Sequence, residues 1–437
     1  MRRARPALCL TITLLAAAAA GAWHTAGAET LQDAWRLALS HDKTLAAAGY
    51  DVQGARAAEQ AARGARWPSL DAVGGYSRLN ASPALDVVTP GFVFRSGPIF
   101  KDDQFVSGSV RLKVPLYTGG QISGGIAAAH HALIGASENE ESATSALKLE
   151  VAEAYVGVLR ARRALEAAQS SVESLTAHAS DVQHMVDRGL VARADLLAAR
   201  VALANAEQVR VRAANTGEFA QATYNRRLGE PLERSAELDQ RISADASLAG
   251  LPVESLVQRA LASRSELKAL AARADALASQ SHAESGKALP QVALIGGYTH
   301  FDSQILDRQD FSSVGIGFTW NLFDGGQARQ RAAALRSAGR AAQERLDDLR
   351  SGIELQVRQA WLDVHEAQAR VRASGEAVAQ AEENLRSSRE LYGAELATNT
   401  QVLDAVSLEV NALGNRDNAT LDESLALLRL SYAVGAL

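Results

Sequence analysis

The chain has 437 residues, 47% of them hydrophobic but only 5% aromatic, with 9 prolines and one cysteine. That composition excludes a large aromatic core and a disulfide framework and favours long alanine-rich helices. A formal net charge of −5 without basic blocks argues against nucleic acid as a partner.

The N-terminus reads as a secretory signal. Arg2, Arg3 and Arg5 precede an apolar run from Ala7 to Ala22, and Ala26-Gly27-Ala28 fits the small-x-small cleavage rule. Cleavage is expected before Glu29, giving a signal over 1–28 that also contains the one cysteine, Cys9. The apolar run is shorter than the roughly 20 residues of a spanning helix. No later segment could cross a membrane as a helix, so any insertion must use β-strands.

A first unit is expected over 29–230. Leu31 to about Arg66 reads as a helix, ended where Trp67 meets Pro68. A strand pair follows over 68–117, with an apolar, proline-bearing loop at 81–104. From Phe105 to Tyr117 the chain alternates: Val106, Val110, Leu112, Val114 and Leu116 point one way, and Ser107, Ser109, Arg111 and Lys113 the other. Gly119-Gly120 breaks the pattern. A long helix is predicted over 120–188 and a second over 194–228, joined by a tight turn at Gly189.

The long helix carries an apolar seam. Leu147, Val151, Ala154, Val158, Ala161, Leu165, Ala168, Val172, Leu175, Ala179, Val182 and Val186 are spaced alternately by four and three, the 3.5-residue period of helices packed lengthwise. Moving 206 residues along gives Ile353, Val357, Ala360, Val364, Ala367, Val371, Ser374, Val378, Ala381, Leu385, Ser388 and Tyr392 in the same register. The chain therefore reads as an internal two-fold repeat. An equatorial connector over 231–252 leads to a second unit over 253–437. Its parts are a helix over 256–289, a strand pair over 290–323, a long helix over 326–392 and a final helix over 397–435.

At 1.5 Å per residue each long helix spans roughly 100 Å, and the other helices about half that. Strands of about 12 residues with one apolar face suit tilted membrane strands. Four strands cannot close a barrel, and an open edge cannot face lipid. Either they pair with other subunits, three supplying twelve strands and two supplying eight, or they pack on something in water. On the residues alone the expected fold class is mainly α, each unit a rod of long coiled-coil helices with a strand pair at one end and a helical turn at the other. Tyr76, Tyr117, Tyr298 and Trp320 suit a membrane-interface girdle, and Arg111 and Lys113 the barrel lumen.

In its duplicated turns, 188–199 and 392–405, and in the echoed boundaries Pro115-Leu116-Tyr117-Thr118-Gly119-Gly120 and Asn321-Leu322-Phe323-Asp324-Gly325-Gly326, the chain resembles the TolC-like outer-membrane efflux protein family. The resemblance implies a homotrimer in outer-membrane lipid, with a twelve-stranded membrane β-barrel and a long coiled-coil helical barrel forming a tunnel through the periplasm. It implies the exit duct of a tripartite efflux or type I secretion system, docked to a periplasmic adaptor (membrane fusion) protein and an inner-membrane transporter. Gly189, Leu190, Glu395 and Leu396 would form the adaptor-docking tips. Asp195 and Tyr392 match the family's latch between tips, and Asp404 one of its inner acids. The sequence departs from the pattern at Glu395, where a glycine is usual, at Ala397 in place of an arginine, and at Gln401 in place of an acid.

The alternative is a periplasmic coiled-coil adaptor or structural protein with its strands in a small soluble sheet. An enzyme has little support. His130 and His131 point about 100° apart on a helix. His178 and His184 are six apart, a poor ligand spacing, and Gly315-Ile316-Gly317 lies inside a strand. No catalytic residue, metal or cofactor is expected.

Overall fold

The computed structural model describes residues 28–100, 103–302 and 306–437; the signal expected over 1–28, apart from Ala28, lies outside them, as does Cys9. The first half contains α1 (Leu31–His41), α2 (Lys43–Gly64), β1 (Ser69–Arg78), β2 (Ala84–Thr89), β3 (Phe92–Pro98), β4 (Gln104–Tyr117), α3 (Gln121–Asp187) and α4 (Arg193–Leu228). A short 3₁₀ turn at Ala246–Gly250 precedes α5 (Val253–Ser263), α6 (Ser265–Gly286), β5 (Gln291–Phe301), β6 (Asp310–Thr319), α7 (Gln327–Gly393) and α8 (Asn399–Val434).

The helix expected over 31–66 is two helices. Thr30 and Asp33 form a capping box that opens α1. Asp42 then turns extended, at ψ 127°, and its carboxylate accepts from Leu45 N–H at 2.8 Å, capping α2. The helix expected over 256–289 divides in the same way at Arg264, where ψ is 121°. The buried Arg264 guanidinium holds Glu266 with two bonds and donates to the carbonyls of Tyr432 and Ala433. A cation and donor thus meets the carbonyl end of α8, adding to the bond that Gly435 N–H makes to Tyr432 O and partnering Ala433 O.

α3 and α7 have 67 residues each, about 100 Å, and α4 and α8 have 36 each, about 54 Å. The seam is what packs. Val151, Val158, Ala161, Val182, Ile353, Val357, Val364, Leu385 and Tyr392 are all buried. There are three apolar clusters: two at equivalent positions of the two halves, where α5 lies on α7 and α8 and where α1 lies on α3 and α4, and a third where α3, α4, α7 and α8 converge. The connector is anchored by Glu29, whose carboxylate meets Arg234 at 2.6 Å and the Tyr224 hydroxyl at 2.6 Å.

The sheet is antiparallel in the order β1-β4-β5-β6. One face carries Leu70, Tyr76, Val110, Leu112, Tyr298, Val314, Ile316 and Phe318, all of them exposed. The other is mainly polar or small, with Asp71, Ser109, Arg111, Lys113, Gly297 and Ser313 beside the apolar Val73 and Ile295. Among the described residues the outer edges of β1 and β6 have no partner strand. Two expectations are corrected. The region 81–104 is not an open loop but contains the hairpin β2–β3, turned at Pro90-Gly91 with Gly91 at φ +92°; Pro followed by a positive-φ Gly suits a type II turn. The last strand stops at Thr319 rather than 323, because Asp324 instead accepts from Gly326 N–H and Ala328 N–H at 2.8 Å each and starts α7.

Candidate functional site

Farthest from the sheet, two helix-turn-helix tips lie side by side. In the first, Gly189 has φ +73°, and Leu190 N–H donates back to Met185 O at 2.9 Å. In the second, Glu395 has φ +63°, and Leu396 N–H donates to Leu391 O at 2.8 Å. Both are the six-to-one closure of a helix C-terminus through one left-handed residue. Glu395 keeps the backbone that a glycine would adopt and is the one non-glycine residue with positive φ among the described residues. Leu190 and Leu396 point outward, 47% and 76% exposed. The second tip is reinforced by a capping box between Thr398 and Gln401; the first has no side-chain cap at Ala192.

Tyr392 lies under the tips, 7% exposed, in the cluster with Leu175, Val182, Leu196 and Val402. The structure brings Asp195 near it, but no hydrogen bond joins the two. The Tyr392 hydroxyl is buried without a hydrogen-bond partner among the described residues. Burial, with the Asp195 charge adding to it, pushes its phenol above the ordinary value. Asp195 sits in the first turn of α4, where a negative charge complements the helix dipole, but it is not the capping residue. Asp404 is exposed on α8.

Two residues given no such role from the sequence complete the arrangement. His178 of α3, 6% exposed, has Nε2 at 2.7 Å from Asn399 Oδ1, and its ring centroid lies 5.6 Å from that of Tyr392. Asn399, 4% exposed, donates from Nδ2 to the carbonyl of Asp195 at 3.1 Å. The available signal was a histidine adjoining an apolar seam. His184 does not join it. His130 instead meets Glu59 at 3.0 Å, and among the described residues no cluster of three His, Cys, Asp or Glu is placed to hold a metal.

At the other end, Arg111 and Lys113 are exposed on the polar face of the sheet. Tyr76 and Tyr298 lie toward the outer strand ends, bonded to Gln104 and Asp310. Tyr117 and Trp320 lie where strands meet helices. A bulge at Pro115 sets Tyr117 opposite Val292, and Trp320 Nε1 donates to Ala288 O at 3.1 Å. None of the helices among the described residues is long and apolar enough to cross a membrane.

The family model described as "Outer membrane efflux protein" matches residues 34–229 and 256–436. The alkaline protease secretion protein AprF of Pseudomonas aeruginosa is 26% identical over 418 residues, covering 93% of this chain and 84% of that protein. The outer membrane protein TolC of Vibrio cholerae is 25% identical over 423 residues, covering 94% and 91%. Among solved structures, the outer-membrane channel OprN superposes with a TM-score of 0.78 at 18% identity, covering 93% of this chain and 90% of that one. VceC of Vibrio cholerae gives a TM-score of 0.77 at 18% identity, covering 93% and 96%.

Proposed function

The chain belongs to the outer membrane efflux protein family, and from that premise we propose that three copies close into one conduit. It is an outer-membrane channel with its helices in the periplasm, the exit duct of an efflux or type I secretion system. The observation that carries the trimer is the sheet. Its four strands expose an apolar face to one side and, among the described residues, leave the outer edges of β1 and β6 unpaired. Unpaired edges cannot stand in hydrocarbon, and three sheets supply the twelve strands of a small membrane barrel. Arg111 and Lys113 then line the lumen. Tyr76 and Tyr298 sit at the outer interface, and Tyr117 and Trp320 at the inner one, in contact with lipid headgroups.

In this reading the chain is two copies of one unit, each a strand pair with a helical rod, joined by the connector at 231–252. Gly189, Leu190, Glu395 and Leu396 form the surface that meets a periplasmic adaptor, which brings the inner-membrane transporter to the duct. The gate lies at Asp195, Tyr392 and Asp404, where the long helices converge, and three copies of Asp404 favour cations in the lumen. Mass measurement in detergent should give three copies, and fractionation should place them in the outer membrane. A stable monomer with folded strands would overturn the trimer. Soluble periplasmic material would favour the coiled-coil adaptor reading instead.

A further inference from the structure

A gate built from helix tips needs bonds that hold the tips together at rest. Tyr392 makes none through its hydroxyl among the described residues. Asn399, in contrast, spends both ends of its amide between helices. It is the first residue of α8 and belongs to the second tip; both of its partners belong to the first, His178 near the end of α3 and Asp195 in the first turn of α4. Only the NH₂ end can donate to the Asp195 carbonyl, so the carbonyl end must face His178. That oxygen only accepts, so His178 Nε2 must carry a proton, which it does both in that neutral tautomer and in the imidazolium. The His178–Asn399 bond is buried between packed helices, and the bond to the Asp195 carbonyl is partly buried.

We propose that this His178–Asn399–Asp195 brace is the bond that holds the two tips of each protomer together in the resting channel. It rests on the channel reading given above. The Asp195 contribution comes from its backbone carbonyl, so the carboxylate is dispensable for it, and the phenol of Tyr392 is dispensable too. Asn399 and His178 are positioning residues: they touch no cargo and set how readily α4 and α8 part. Each buried neutral hydrogen bond shifts such an equilibrium by about 2- to 12-fold, so losing both shifts the closed-to-open ratio of a protomer by roughly 5- to 150-fold.

The test is single-channel recording of the purified full-length protein in planar bilayers. Asn399→Ala removes both bonds and His178→Leu removes one; both should raise open probability and conductance. His178→Gln can again donate to Asn399 and should restore the parent trace. Asp195→Ala keeps the carbonyl and Tyr392→Phe keeps the ring, so neither removes a brace bond and each should raise conductance less than Asn399→Ala does. The brace is wrong if Asp195→Ala or Tyr392→Phe opens the channel while Asn399→Ala does not. Should Asn399→Ala fail to assemble, the comparison of His178→Leu with His178→Gln decides: equal conductance overturns the brace. A parent protein that forms no channel at all would instead refute the channel reading.

Discussion

If three copies close the barrel, the repeat dictates how one sheet meets the next. Within the chain, Ser69 of β1 faces Lys113 of β4. Advancing Ser69 by 222 and Lys113 by 206, the sequence offsets between the two units, gives Gln291 opposite Thr319, which is the observed register of β5 and β6. The same operation can be applied to the joint between units. There Lys113 faces Ile295. Advancing the first by 206 and moving the second back by 222 gives Thr319 of one copy opposite Val73 of the next. Ile316 then faces Tyr76, which continues the apolar surface, whereas a slip of one residue would turn an apolar face into the lumen. Directly opposed residues have Cα atoms about 4.5–5.5 Å apart, inside the roughly 4.4–6.8 Å that a disulfide spans. Diagonal neighbours are about 7–8 Å apart and outside it. Thr319→Cys with Val73→Cys should therefore give covalent dimers and trimers on non-reducing electrophoresis, returning to monomers with reductant. The same Thr319→Cys with Asp71→Cys or Gly75→Cys should not. Cross-linking of either control in preference to the Val73 pair, in material whose mass is still three copies, would refute the register while leaving the trimer standing.

Glu395 holds a left-handed conformation that costs a non-glycine residue roughly 1–2 kcal/mol, so Glu395→Gly should stabilise the helical domain by about 1 kcal/mol, read as a higher melting temperature by circular dichroism. Gly189→Pro cannot adopt φ +73°, and Leu190→Asp removes the exposed apolar contact; both should abolish export while heat-resistant trimers persist in the outer membrane. Asp404→Ala should weaken block of the channel by multivalent cations, and unchanged block would take Asp404 off the lumen. The hydrogen bond from Ala328 N–H, followed by that from Gly326 N–H, holds the Asp324 carboxyl below the usual carboxylate range. Its stabilising contribution is therefore present above the unfolded value and lost as pH falls through the folded one; Asp324→Asn should flatten that acid-side loss in a thermal-melt series.

The long helices were legible because burial writes itself directly into the 3.5-residue spacing of Val151 to Val182 and its echo from Val357 to Leu385. The strands were legible because Val106 to Leu116 alternate. The breaks at Asp42 and Arg264 were not, since a polar residue that interrupts a helix looks the same in sequence as one on its surface. What fixes Arg264 is a pair of carbonyls 168 and 169 residues away. The hairpin within 81–104 had a visible signal, Pro90-Gly91 between Val87-Val88 and Phe92-Val93-Phe94, which the flanking prolines obscured.

The tips divide along the same line. Glu395 in place of a glycine put the second turn in question, yet its backbone matches that of Gly189. The bond from Leu396 N–H to Leu391 O closes only if the residue before Leu396 turns left-handed, so the hydrogen-bonded ring sets the geometry and the side chain changes only its cost. Local chemistry of this kind survives substitution and can be carried from one unit to the other. The brace cannot be carried over in that way. Asn399 and His178 are 221 residues apart, and the positions 206 residues before and after them hold Arg193 and Asn384, so a donor-only guanidinium stands where Asn399 both accepts and donates. The two tips are thus alike in backbone and unlike in what ties them together, which is why the repeat predicts the shape of the gate but not the bond that closes it.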